Sequence, residues 1–110
     1  MPPSVTRGFF RYSRRVAEID RHRKAVIARV LEGDGRASRE QRKAAFDAPT
    51  GGLLEKVARY AYKVSDDDIA AAKAAGLSED ELFELVVCAA LGQATRQLES
   101  ALAALAATEA

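Results

Sequence analysis

One thiol, one imidazole, a run of three carboxylates and a cluster of guanidiniums are the chemically versatile groups in this 110-residue chain. Cys88 would serve as a peroxidatic nucleophile if a cation or a helix N-terminus lowered its pKa. It lies between Val87 and Ala89, and apolar surroundings raise a thiol's pKa, so it reads as a small buried hydrophobe. A lone cysteine also excludes an intrachain disulfide and any C-x-x-C redox or zinc site. His22 could act as a general base, with Glu18 four residues earlier on the same helix face to orient its ring. Arg21 and Arg23 flank it, so the plainer reading is a surface or interface histidine. Asp66, Asp67 and Asp68 could ligate Mg²⁺ or Ca²⁺ through carboxylate oxygens. Successive helical residues point about 100° apart, so the three do not converge on one ion, and helix capping accounts for them. No metal and no cofactor is expected.

Arg14, Arg15, Arg21, Arg23, Lys24 and Arg29 could grip a phosphate backbone, with Phe9, Phe10 and Tyr12 alongside to stack. The charges spread around their helix, Glu18 and Asp20 dilute them, and the whole chain carries a net charge of only +1. A solvated face, or one that pairs with an acidic neighbour, fits better than a nucleic-acid partner. Arg23 is a separate oddity because it interrupts an apolar stripe. A buried Arg requires a carboxylate or carbonyl partner. Glu84, the one charge on an apolar stretch, is the candidate. Such a pair would fix helix register or line a small polar pocket.

The elements that position these groups are helical. Ala, Leu, Glu, Lys and Arg dominate, whereas few aromatics, three Pro and seven Gly suit a β-sandwich or barrel poorly. Residues 1–8 read as a flexible arm, because Pro2, Pro3 and Gly8 disfavour helix. A helix follows from Phe10 to Leu31, with Tyr12, Val16, Ile19, Val26, Ile27 and Val30 on one stripe. Gly33 and Gly35 end it. Ser38 opens a short second helix with Gln41 at capping-box spacing, and Asp47-Ala48-Pro49 stops it. A third helix is expected over Leu53 to Lys63. Ser65 caps a fourth that ends at Gly76, with Leu77 placed for the accompanying apolar contact. Ser78, with Glu81 three residues on, opens a long fifth helix reaching Ala106.

From Leu82 to Gly92 that fifth helix is apolar around its whole circumference apart from Glu84. A helix apolar all round must be buried all round. Four short helices cover one side well, so a second copy of the chain is the natural cover for the rest, and a homo-oligomer is expected. The plainer alternative leaves Leu82 and Leu85 exposed. Charge is polarised: residues 1–50 hold 12 Lys/Arg against 6 Asp/Glu, and residues 51–110 hold 5 against 10. That arrangement suits head-to-tail association or an anionic partner. The opening MPPSVTRGFFRYSRR has no apolar signal-peptide core, and no run is long enough to span a bilayer. A soluble, cytoplasmic single domain over residues 1–110, with no membrane partner, is the expectation.

The stretch VSDDDIAAAKAAGLSEDELFELVVCAALGQATRQLESAL, preceded by LLEKVARYAYKV, resembles the C-terminal half of the alkylhydroperoxidase D / carboxymuconolactone decarboxylase (AhpD-like) superfamily. The likeness lies in V-S-D-D-D-I, then A-A-G-L-S-E-D-E-L-F-E-L, then an apolar helix of small residues ending at Arg96. It covers residues 53–105, about half the chain. The resemblance implies an all-α, AhpD-like bundle of about five helices that assembles into oligomers. It also makes Arg96 a further candidate to line a pocket with Arg23, Glu84 and His22. The family's thiol peroxidases use a C-x-x-C in the first half, and no cysteine precedes residue 53 here. One sulfur does not cycle as a dithiol, so that activity is not carried over. The expectation is an oligomeric accessory or binding protein, open to a protein partner. The alternatives are a non-thiol enzyme of the lactone-decarboxylase type acting on a small anion, and an anion or nucleic-acid binder using the basic first helix.

Overall fold

The chain folds into α-helices, and no strand forms among the described residues. The structure, a computed structural model, describes the backbone from Pro3 to Glu109 and the side chains from Arg14 to Thr108. In chain order the elements are α1 (Pro3–Glu32), α2 (Arg39–Asp47), α3 (Gly52–Arg59), a single 3₁₀ turn (Ala61–Lys63), α4 (Asp66–Ala74) and α5 (Glu79–Glu109). None of the described helices is long and apolar enough to cross a membrane. The chain divides into two compact units, with the boundary between Gly33 and Asp34.

The first unit is essentially α1. It starts at Pro3, so most of the stretch expected to be a flexible arm is helical. Proline is tolerated in the first helical turn because the N–H it lacks has no intrahelical partner there. Gly8 costs only about 1 kcal/mol in a helix interior, which does not stop a helix of 30 residues. Met1 and Pro2 lie outside the described residues.

The second unit is organised on α5, against which α2 and α3 pack extensively and α4 more lightly. Its short helices begin where side chains replace missing backbone partners. Ser38 Oγ accepts from Gln41 N while the Gln41 side chain accepts from Ser38 N, both at 3.0 Å. Ser65 and Asp68 form the same reciprocal box at α4, and Ser78 and Glu81 form it at α5. The α4 helix ends with Gly76 N donating to Lys73 O and Leu77 N to Ala72 O, the paired bonds of a Schellman stop. The α3 helix is shorter than the spacing predicts. Tyr60 leaves the helical region (φ −141°, ψ 53°), and the chain tightens into the 3₁₀ turn. That reversal brings Asp68 back to α3, where Lys56 Nζ donates to both its carboxylate oxygens at 2.9 and 3.0 Å.

Ala37, Ala45, Leu53, Ala58, Leu82, Leu85, Cys88 and Ala89 are buried. Leu82 and Leu85, which the sequence left open to exposure, are therefore covered within one chain. The core is built of small residues, and Gly92 takes this furthest. A Cβ there would lie 2.1 Å from the carbonyl oxygen of Phe46, far inside van der Waals contact. The glycine lets α5 meet the end of α2 backbone to backbone.

Candidate functional site

Two of the charges singled out in the sequence sit on α5 and act on the two ends of α2. Glu84 accepts from Arg36 N at 2.8 Å and from Ala37 N at 2.7 Å, just ahead of the Ser38 cap. These N–H donors, Ala37's first, hold the Glu84 carboxyl below its usual 4.5, and the nearby Arg42 and Arg36 charges add to this. Gly35 gives the carboxylate room, since a Cβ there would lie 2.9 Å from Glu84 Oε1. Twelve residues later, Arg96 donates to Phe46 O at 2.7 Å and Asp47 O at 3.3 Å, and also to Gln93 Oε1. An anion thus faces the N-terminal end of α2 and a cation its C-terminal end, each matched to the helix dipole.

Cys88 lies one turn beyond Glu84 on α5 and has 0% of its surface exposed. Burial pushes its thiol up, and the Arg42 charge only partly offsets that. Arg42 is itself 5% exposed, on the inner face of α2 with Ala45. The sequence does not distinguish it from Arg39 or Lys43. Its three-residue spacing from Ala45, which marks one helix face, was the only signal available.

On α1, Arg23 takes the carboxylate of Asp20, three residues back, which also pairs with Lys24 at 3.0 Å. Glu84, for its part, is taken up by the backbone donors ahead of α2. Arg23, then Lys24, hold the Asp20 carboxyl below its usual range. His22 and Glu18 are exposed, as are Arg14, Arg15, Arg21, Lys24 and Arg29. The side chains of Phe9, Phe10 and Tyr12, proposed to stack beside these charges, lie outside the described residues. On α4, Asp68 is occupied by Lys56 and the Ser65 cap, while Asp66 and Asp67 are exposed. No group of three or more His, Cys, Asp or Glu capable of holding a metal occurs among the described residues.

The second unit also carries an apolar opening that no motif in the sequence marks. A hollow of about 300 Å³ lies among α3, α4 and α5. Its lining is Leu53, Val57, Val64, Ile69, Leu82, Phe83 and Val86, with Lys73 and Glu79 joined at its edge by a 2.5 Å ion pair. Phe83, at 70% exposure, forms the lip and also borders a more open recess lined by Asp34, Gly35, Arg36, Asp80 and Glu84. Leu53, Val57 and Val64 recur at helical spacing, which does not encode that their face stays open. Comparison with known proteins finds no matching family model, no matching curated protein and no matching solved structure.

Proposed function

We propose that this chain acts by assembly and binding: a helical module of the AhpD-like kind, without that family's dithiol chemistry, which associates with itself. The observation that carries this reading is the largely exposed Phe83 on the lip of an apolar hollow. Fully burying a side chain of this kind is worth roughly 1.5–3 kcal/mol. Apolar surface rimmed by charge marks a place where something binds. The fully enclosed, up-shifted Cys88 supports a packing role for the only thiol. A lactone-decarboxylase type of site needs an Arg and a carboxylate turned toward a small anion, whereas Glu84 and Arg96 are engaged by backbone groups. The reading as an anion binder draws on the exposed basic residues of α1, and salt-dependent retention on heparin is its check.

Light scattering on the purified chain, alongside Phe83→Ser, tests the main reading. The expected result is a wild-type mass that is a multiple of 11.9 kDa and falls in the variant, with helical circular dichroism unchanged. A wild type of one-protomer mass up to submillimolar concentration overturns self-association. Peroxide turnover by the wild type that disappears in Cys88→Ser overturns the denial of thiol chemistry.

A further inference from the structure

The first unit is a single helix in which Leu31 is buried and Val16, Ile27 and Val30 are half-buried, whereas two apolar residues beside them stand open. Ile19 is 52% exposed and Val26 is 47% exposed. They lie seven residues apart, which puts them on one face about 10.5 Å from each other along the axis. Arg15, His22 and Arg29 follow the same spacing along one edge of that face, and all three are exposed. The result is an amphipathic helix with two apolar anchors and a basic border.

The hollow on the second unit has the complementary character. Its walls include Val57, Val86, Ile69 and Phe83. Ile69 shares a face of α4 with Asp66, and Phe83 shares a face of α5 with Glu79 and Asp80, by the three- and four-residue spacing of helix neighbours. The acidic first turns of both helices therefore flank the apolar walls. Residues 1–33 carry 8 Lys/Arg against 3 Asp/Glu, and residues 34–110 carry 9 against 13. Opposite net charges on the two units favour their encounter and penalise like-with-like pairing.

We infer that the apolar hollow of one copy receives the Ile19–Val26 face of α1 from a second copy. The mode is that of an amphipathic helix laid in a groove. It rests on the self-association proposed above and specifies its interface. The contact is heterologous, helix to groove, so it closes as a reciprocal exchange of α1 or propagates head to tail.

Complementation tests it. One full-length variant, Ile19→Asp with Val26→Asp, has a defective helix and an intact groove. Another, Phe83→Asp, has a defective groove and an intact helix. All three positions are exposed, so both variants are expected to keep wild-type circular dichroism. Each alone should run at 11.9 kDa, and an equimolar mixture should form a dimer of twice that mass through its one intact interface. A wild type that associates while the mixture stays monomeric overturns this interface and leaves self-association standing. A monomeric wild type overturns both. Should either variant lose helicity, a photo-crosslinking amino acid at position 26, in a mixture of isotope-labelled and unlabelled chains, decides instead. Crosslinks between chains to the Ile69 or Phe83 peptide are expected. Crosslinks confined to single chains, or to other segments, overturn the inference.

Discussion

The guanidinium of Arg96 donates to the carbonyl oxygen of Phe46 across 2.7 Å, joining the middle of α5 to the last turn of α2. A helix leaves its final carbonyls without intrahelical donors, and a charged donor supplies the strongest replacement. Removing it in Arg96→Met should destabilise the chain by about 1–2 kcal/mol. Arg96→Lys should recover only part, since a point charge lacks the planar fork whose Nη1 serves the Phe46 and Asp47 carbonyls while Nη2 holds Gln93 Oε1. Urea denaturation midpoints for the two variants check this ordering, and equal midpoints would refute it.

Gly92→Ala sets helix propensity against packing. Alanine is better in a helix interior by about 1 kcal/mol. Its Cβ would sit 2.1 Å from Phe46 O, and backbone cannot yield as a flexible side chain does. Overpacking of this kind costs about 1–3 kcal/mol or more. Net destabilisation is expected, with a lower thermal midpoint than the wild type. A stabilised variant would mean that α2 and α5 do not approach this closely.

Acid should weaken the fold through identified carboxylates. Hydrogen bonding to backbone donors lowers the Glu84 pKa, and the Lys56 bond lowers that of Asp68. A depressed carboxyl contributes stability that is fully present above its unfolded-state pKa, here 4.5 for Glu84 and 3.8 for Asp68. That contribution is lost as pH falls through the lower folded-state value. Unfolding free energy should therefore decline below about pH 4.5, and Glu84→Gln should flatten the decline relative to wild type. An identical slope in the variant would contradict the assignment.

Cys88 should resist thiol reagents at neutral pH. Its sulfur has no exposed surface and its ionisation is disfavoured by burial. Ellman's reagent should react at the rate of structural opening and promptly in denaturant. Immediate stoichiometric reaction with the native chain would show an accessible thiol.

The turns were legible because their chemistry is local. Ser38, Ser65, Ser78 and Gly76 each do what their spacing predicts, with partners within a few residues. The ends of α1 and α3 were less so: Pro3 permits a helix start as readily as it forbids a helix interior, and α3 breaks at Tyr60 with neither proline nor glycine beside it to mark the stop. Glu84 and Arg96 stood out as charges on an apolar helix, yet their partners are backbone groups, which carry no signature in a side-chain reading. Arg42 was indistinguishable from its exposed neighbours because only long-range packing separates them. The open hollow beside Phe83 depends on where three helices stop short of one another, and periodicity does not encode that.

Because Glu84 holds the approach to α2 and Arg96 holds its exit, the nine residues between have little freedom to fray while α5 remains intact. A helix so short is unstable alone in water. Amide protons of α2 should therefore exchange with solvent only in the rarer events that also release the centre of α5. The two would behave as one cooperative block, although only the longer could persist for any time by itself.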